Sequence, residues 1–144
     1  MPAGAQAGDD ASIVLRRTDM KILVIDPNPL FRQASRNFIA ALPECECLVA
    51  ASLQDALRQE EAHRTEMILI DYALGHGGME GALRALRALA PAARVVLLAE
   101  DAAAYRDSSL AAGADDCAGK AALGSELPLL LAGLAAEPRR ERLA

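Results

Sequence analysis

The chain has 144 residues, 53% of them hydrophobic and 24% charged, which is enough for one compact domain and too few for two ordinary ones. Its formal charge of -5, with basic residues scattered except in the tail PRRERLA, gives no electrostatic footprint for nucleic acid. No apolar run approaches the roughly 18 residues that span a bilayer, and the start MPAGAQAGDD lacks the charged-then-apolar order of a signal peptide, so a cytoplasmic protein with a protein or small-ligand partner is expected.

Residues 1–19 read as a flexible arm, rich in Ala, Gly and Asp, in which Ile13-Val14-Leu15 adds either a short strand or a contact segment. A domain over residues 20–136 follows. KILVID is a continuous apolar run ending in an acid, the pattern of a strand covered on both faces. Asn28 is placed to cap the next helix with Pro29 at its first position, and Phe31, Ala34, Phe38, Ile39 and Leu42 fall on one helical stripe. CECLVAA predicts a second strand. Ser52-Leu53-Gln54-Asp55 resembles a capping box that opens a helix burying Leu53, Ala56 and Leu57. EMILID is a third strand, again ending in an acid.

After a glycine-rich loop, Leu83, Leu86 and Leu89 mark a third helix that stops near Pro91, and RVVLLA is the fourth strand. A helix over residues 102–112 ends at Gly113. DDCA is a short fifth strand leading to Gly119-Lys120. From Ser125 a last helix presents Leu127, Leu130, Leu131 and Leu134 on one face, and residues 137–144 form a frayed tail.

Five strands alternating with five helices predict an α/β fold: one parallel sheet with helices on both faces, in the flavodoxin-like strand order 2-1-3-4-5. In that order a ligand crevice opens beyond the carboxyl ends of the first and third strands. Those ends carry Asp26 and Asp71, and Lys120, at the end of the fifth strand, has a stem long enough to lean over them. An acid at one strand end has a plain explanation, since that edge is wet. Two carboxylates and an ammonium converging there point further, to Mg²⁺ and phosphoryl chemistry, because hard oxygen donors suit that cation and a lysine neutralises a nearby anion.

The cysteines are three, an odd count, and Cys45 and Cys47 share one face if their segment is a strand. A metal site needs more ligands than that pair, so they read as small apolar side chains in a reduced compartment.

The stretches KILVIDPNPLFRQASRNFIAAL, MILIDYAL, RVVLLAEDAAAY and LAAGADDCAGK resemble, in order and spacing, the receiver domains of bacterial two-component response regulators. The resemblance implies that Asp71 is phosphorylated by a histidine kinase or phosphotransfer protein, with Asp26 helping to hold Mg²⁺, Ala73 lending a backbone carbonyl to the metal and Lys120 contacting the phosphoryl group. It also implies a signalling role through protein contacts rather than enzymatic turnover, beyond self-phosphorylation from a small phosphodonor.

Four positions depart from the family pattern. Pro27 stands where a second acid is usual, Ala99 where a Ser or Thr hydroxyl ends the fourth strand, Cys117 where an aromatic residue lies on the fifth, and Ala121 where a proline follows the lysine. In the family the hydroxyl and the aromatic ring rotate together on phosphorylation, a coupling that cannot run in the same way here. The loop departs too. Gly81 lies ten residues after Asp71, where a glycine eight after the acceptor is usual, with His76 in the enlarged stretch.

Gly75 to Gly81 form either an anion-binding nest of backbone N–H groups or a surface loop, and His76 is either a metal or phosphoryl group or a solvated loop histidine. His63 reads as a favourable charge at a helix C-terminus. Gly75-x-Gly77-x-x-x-Gly81 misses the G-x-G-x-x-G spacing and follows the third strand, so no dinucleotide site is expected. Two function classes stand: a stand-alone atypical receiver that accepts phosphate on Asp71 and signals through a downstream partner or a homodimer, and a phosphorylation-independent pseudo-receiver that serves as an interaction module.

Overall fold

A computed structural model describes residues 20–75 and 78–136; the expectations for the arm 1–19, the tail 137–144 and His76 lie outside them. The apolar runs become strands β1 (Met20–Ile25), β2 (Cys45–Ala50), β3 (Met67–Asp71), β4 (Arg94–Ala99) and β5 (Asp116–Gly119). All pair in parallel, in the order β2-β1-β3-β4-β5. Between them run α1 (Pro29–Ala40), α2 (Leu53–Leu57), α3 (Met79–Leu89), α4 (Ala102–Ala112) and α5 (Leu123–Ala136), with 3₁₀ turns at Glu60–Arg64 and Tyr72–Gly75. The expected fold class is what is found.

Strand side chains alternate between two faces, and each face builds its own core. Leu23, Ile25, Ile68, Ile70, Val95 and Leu97 meet Leu83 and Leu86 of α3 and Ala56 of α2. Ile22, Val24, Met67, Leu69, Val96 and Leu98 meet Ile39 of α1 and Leu123 and Leu127 of α5. No helix among the described residues is long and apolar enough to cross a membrane.

Local signals act largely as the residues dictate. Asn28 Oδ1 accepts the N–H groups of Leu30 and Phe31, with Pro29 inside the first turn of α1. Ser52 accepts Asp55 N–H, and Asp55 answers by accepting Ala51 N–H, one residue before the cap. Gly113 closes α4 at φ 113°, a conformation that costs a side chain energy.

Some expectations need correction. On α1 the covered line runs through Ser35 and Ile39, while Ala34 is exposed and Phe38 sits at the rim. The Phe38 ring lies against Gly124, where a Cβ would come within 3.1 Å of it, so it seals the α1–α5 seam instead of entering the core. Helix α2 lasts five residues and gives way to a 3₁₀ turn, leaving Leu57 exposed. His63 belongs to that turn and meets the Glu60 carbonyl at 2.7 Å through Nδ1. Helix α5 starts two residues earlier than Ser125, because Leu123 N–H already bonds to the Lys120 carbonyl.

Candidate functional site

The register of the central strands brings the acids together. Ile25 pairs with Ile70, so the next residues, Asp26 and Asp71, lie side by side at the carboxyl edge. On the other flank Ala99 pairs with Gly119, and the Lys120 N–H donates to the Ala99 carbonyl at 2.9 Å, which roots Lys120 at the same edge. Its ammonium lies 2.7 Å from Asp26 Oδ2 and 3.3 Å from Asp71 Oδ1.

Asp26 is fully buried. Its Oδ1 accepts the Asn28 N–H at 2.8 Å, and its carbonyl accepts from Arg32 Nη1 at 2.7 Å. The segment from Asp26 to Arg32 is thus one hydrogen-bonded unit that ends a strand, caps a helix and aims a carboxylate. Burial works to lower the Lys120 pKa, but the hydrogen bond and charge of Asp26, followed by those of Asp71, outweigh it and hold the ammonium above the ordinary lysine value. Phe31, in the first turn of α1, places its ring 4.6 Å below that ammonium. One cation is therefore shared by two carboxylates against an aromatic floor, leaving one net negative charge.

The model of the response regulator receiver domain matches residues 22–131 of this sequence. The chain belongs to the response regulator receiver family. No curated protein matches it. Among solved structures, the receiver is similar to a chain of the complex between CheY6 and the P1 domain of CheA3 from R. sphaeroides, at 24% identity over 82% of this chain and 98% of that one, TM-score 0.69. It is also similar to a LuxR-family response regulator from Aurantimonas sp. SI85-9A1, at 26% identity over 83% and 86% of the two chains, TM-score 0.66. The response regulator domain of Thermotoga maritima CheB aligns at 18% identity over 83% and 98%, TM-score 0.66.

Within this receiver the four unusual positions lie close to the acids or on the strand edges that frame them. Pro27 is exposed directly after Asp26, Ala99 is buried at the end of β4, Cys117 is buried on β5 and Ala121 is exposed after Lys120. Proline offers neither carboxylate nor N–H, and alanine offers no hydroxyl, so neither position supplies a polar side-chain group beside the acids.

The donors present fit a magnesium ion thinly. Oδ2 of Asp26 is buried and makes no hydrogen bond of good geometry; the close Lys120 ammonium is its ion-pair partner. Two carboxylates are enough for Mg²⁺, which keeps several of its waters. Among the described residues, however, no three His, Cys, Asp or Glu side chains are grouped for a metal. Ala73 lies in the 3₁₀ turn that follows Asp71.

Two glycines here have local reasons, close packing at Gly75 and a positive φ at Gly78. A Cβ on Gly75 would come within 2.9 Å of the Met79 Cβ, and Gly78 adopts φ 133° while donating its N–H to the Gly75 carbonyl at 2.8 Å. The Gly78 N–H is therefore already engaged. On β2, Cys45 and Cys47 do share a face, packed beside the α1 core. Burial raises both thiols, that of Cys47 to about 11, so they stay protonated and inert at neutral pH.

Two contacts escaped the sequence reading. Phe31 does pack against the core from the expected helical stripe, and its ring also faces Lys120; an aromatic residue one turn into a helix that follows an acidic strand end is the signal. The other is the stacking of Tyr72 on Tyr105, with ring centroids 4.8 Å apart, which links residues too distant in sequence for any local pattern to reveal.

Proposed function

We propose that this receiver accepts a phosphoryl group on Asp71 from the phosphohistidine of a histidine kinase or phosphotransfer protein, and signals through contacts with a downstream protein or a second copy of itself. The supporting observation is the Lys120 ammonium held 2.7 Å from Asp26 and 3.3 Å from Asp71. A carboxylate attacks phosphorus only where its charge and those of the phosphoryl oxygens are offset. Lys120 is built for that task.

In the proposed step a carboxylate oxygen of Asp71 forms the new O–P bond as the histidine N–P bond breaks. The leaving nitrogen keeps the bonding pair and takes a proton. Lys120 swings its ammonium from the carboxylates to the transferred group, and Asp26 remains as the anchor. Asp26, Asp71 and the Ala73 carbonyl would hold Mg²⁺, which when bound supplies further positive charge to the phosphoryl oxygens.

Beryllofluoride, which binds an aspartate as a phosphoryl mimic, tests this reading. With Mg²⁺ present, ¹⁹F NMR should show a bound signal that disappears in Asp71→Asn. In Lys120→Met affinity should fall roughly ten- to hundred-fold, the equivalent of a charged hydrogen bond worth about 1.5–3 kcal/mol. No bound signal in the wild type would reject the reading.

A second reading, a pseudo-receiver that binds partners without phosphorylation, draws on the loss of Pro27's acid and Ala99's hydroxyl. On that reading Asp71→Asn leaves partner affinity unchanged.

A further inference from the structure

With Ala99 and Cys117 in place, β4 and β5 carry neither the hydroxyl nor the ring that would link the acids to the helical surface beside them. A different aromatic connection exists. Tyr72 follows Asp71 directly and opens the 3₁₀ turn Tyr72–Gly75, while its ring packs on the core beside β3. It meets Tyr105 of α4 with centroids 4.8 Å apart and planes tilted by 44°, within the range where ring faces and edges attract. Its hydroxyl lies 3.4 Å from the Ser108 hydroxyl. Ser108 and Ser109 both donate to the Tyr105 carbonyl, at 3.2 and 2.7 Å, so the phenol and its ring partner engage one turn of α4. Tyr105 itself is 42% exposed, so a change at its ring reaches the surface.

We propose that Tyr72 and Tyr105 carry the state of Asp71 to the exposed face of α4. The inference rests on the reading of Asp71 as the phosphoryl acceptor and adds the route by which its state leaves the site. Asp71 and Tyr72 share a peptide bond, so a carboxylate that loses Lys120 or gains a phosphoryl group turns the backbone at the head of the 3₁₀ turn. Tyr72 then shifts against Tyr105 and Ser108, and the turn of α4 they hold moves with them. The same turn of α4 is tied to β5 by Arg106, which donates to the Cys117 carbonyl at 2.7 Å, and this bond supplies the pivot.

The chain suits a direct test, because its only two tyrosines are this pair and it has no tryptophan. Near-ultraviolet circular dichroism in the tyrosine band therefore reports on these two rings alone in aromatic absorption at that wavelength. Two perturbations are applied, Asp71→Asn without any phosphodonor and beryllofluoride with Mg²⁺, and backbone amide shifts are recorded for α4, with α2 as the remote control. Both perturbations should change the tyrosine band and shift the α4 amides around residues 105–109. In Tyr72→Leu the α4 response should fall to the level of α2. Tyr105→Leu, at an exposed position, should give the same loss and serves if Tyr72→Leu does not fold.

An α4 response that persists undiminished in these variants overturns the proposal, as does the absence of any α4 response to Asp71→Asn. Beryllofluoride binding with no movement of α4 overturns the route and leaves the acceptor reading intact. Failure of beryllofluoride to bind overturns the acceptor reading, and Asp71→Asn then still decides whether the two tyrosines transmit a change at that carboxylate.

Discussion

At the scale of residues, the site is a balance of two carboxylates and one ammonium beside a proline. Asp26, Asp71 and Lys120 leave one net negative charge at the crevice, whereas an acid in place of Pro27 would leave two and add an oxygen donor. Pro27→Asp should therefore raise Mg²⁺ affinity about tenfold, since ligand charge tunes such sites on that scale; isothermal titration would measure it, and an unchanged affinity would mean that Pro27 does not face the cation. Asp26 and Asp71 were legible from the sequence because each ends an apolar run, Lys120 because it follows the short fifth strand, and the strand order carries all three to one edge. Phe31 and the Tyr72–Tyr105 pair were not. Their partners lie 89 and 33 residues away, from Phe31 to Lys120 and from Tyr72 to Tyr105, and helical periodicity reports which side of a helix is apolar without naming what it meets.

At the scale of elements, the strands were the readable part. A strand covered on both faces must be apolar along its covered length, and β3, with Met67 to Ile70 all buried before Asp71 ends it, is the clearest case. Leu69 lies in its middle and is completely buried against the α1–α5 face. Leu69→Ala should lower the unfolding free energy by about 2–5 kcal/mol, the cost of a large-to-small change that leaves a cavity, with urea unfolding as the measurement. Helix limits were read less well where capping and packing compete. Helix α4 runs between Asp101 and Gly113 as its end signals demand, because both caps are strong. Helix α2, with a good Ser52 start and no stop signal, breaks after five residues where Gln59 turns away to bond the Val49 carbonyl on edge strand β2.

At the scale of the whole molecule, the acids at the carboxyl edge are matched by an ion-pair cluster at the opposite edge. Lys21 at the start of β1 bonds Glu46 at 2.8 Å and meets Glu61 at 3.4 Å, tying β2 and the 3₁₀ turn to the centre of the sheet. The hydrogen bond to Glu46 outweighs desolvation, and with the charges of both glutamates it raises the Lys21 pKa above 10.5. A lysine whose pKa is higher in the folded state stabilises fully below the ordinary value and loses that contribution as pH climbs through the folded one. Urea midpoints should therefore fall above about pH 10.5, and Lys21→Met should flatten that alkaline decline while leaving Asp71 chemistry untouched. The two edges thus divide the charges of the sheet, one tying strands together through Lys21 and the other gathering the carboxylates of the proposed acceptor site. Whether Asp71 accepts a phosphoryl group is decided most directly by intact mass after incubation with a small acyl phosphate and Mg²⁺. One phosphoryl adduct in the wild type and none in Asp71→Asn is the expected result; no adduct in the wild type, or an equal adduct in Asp71→Asn, would contradict it.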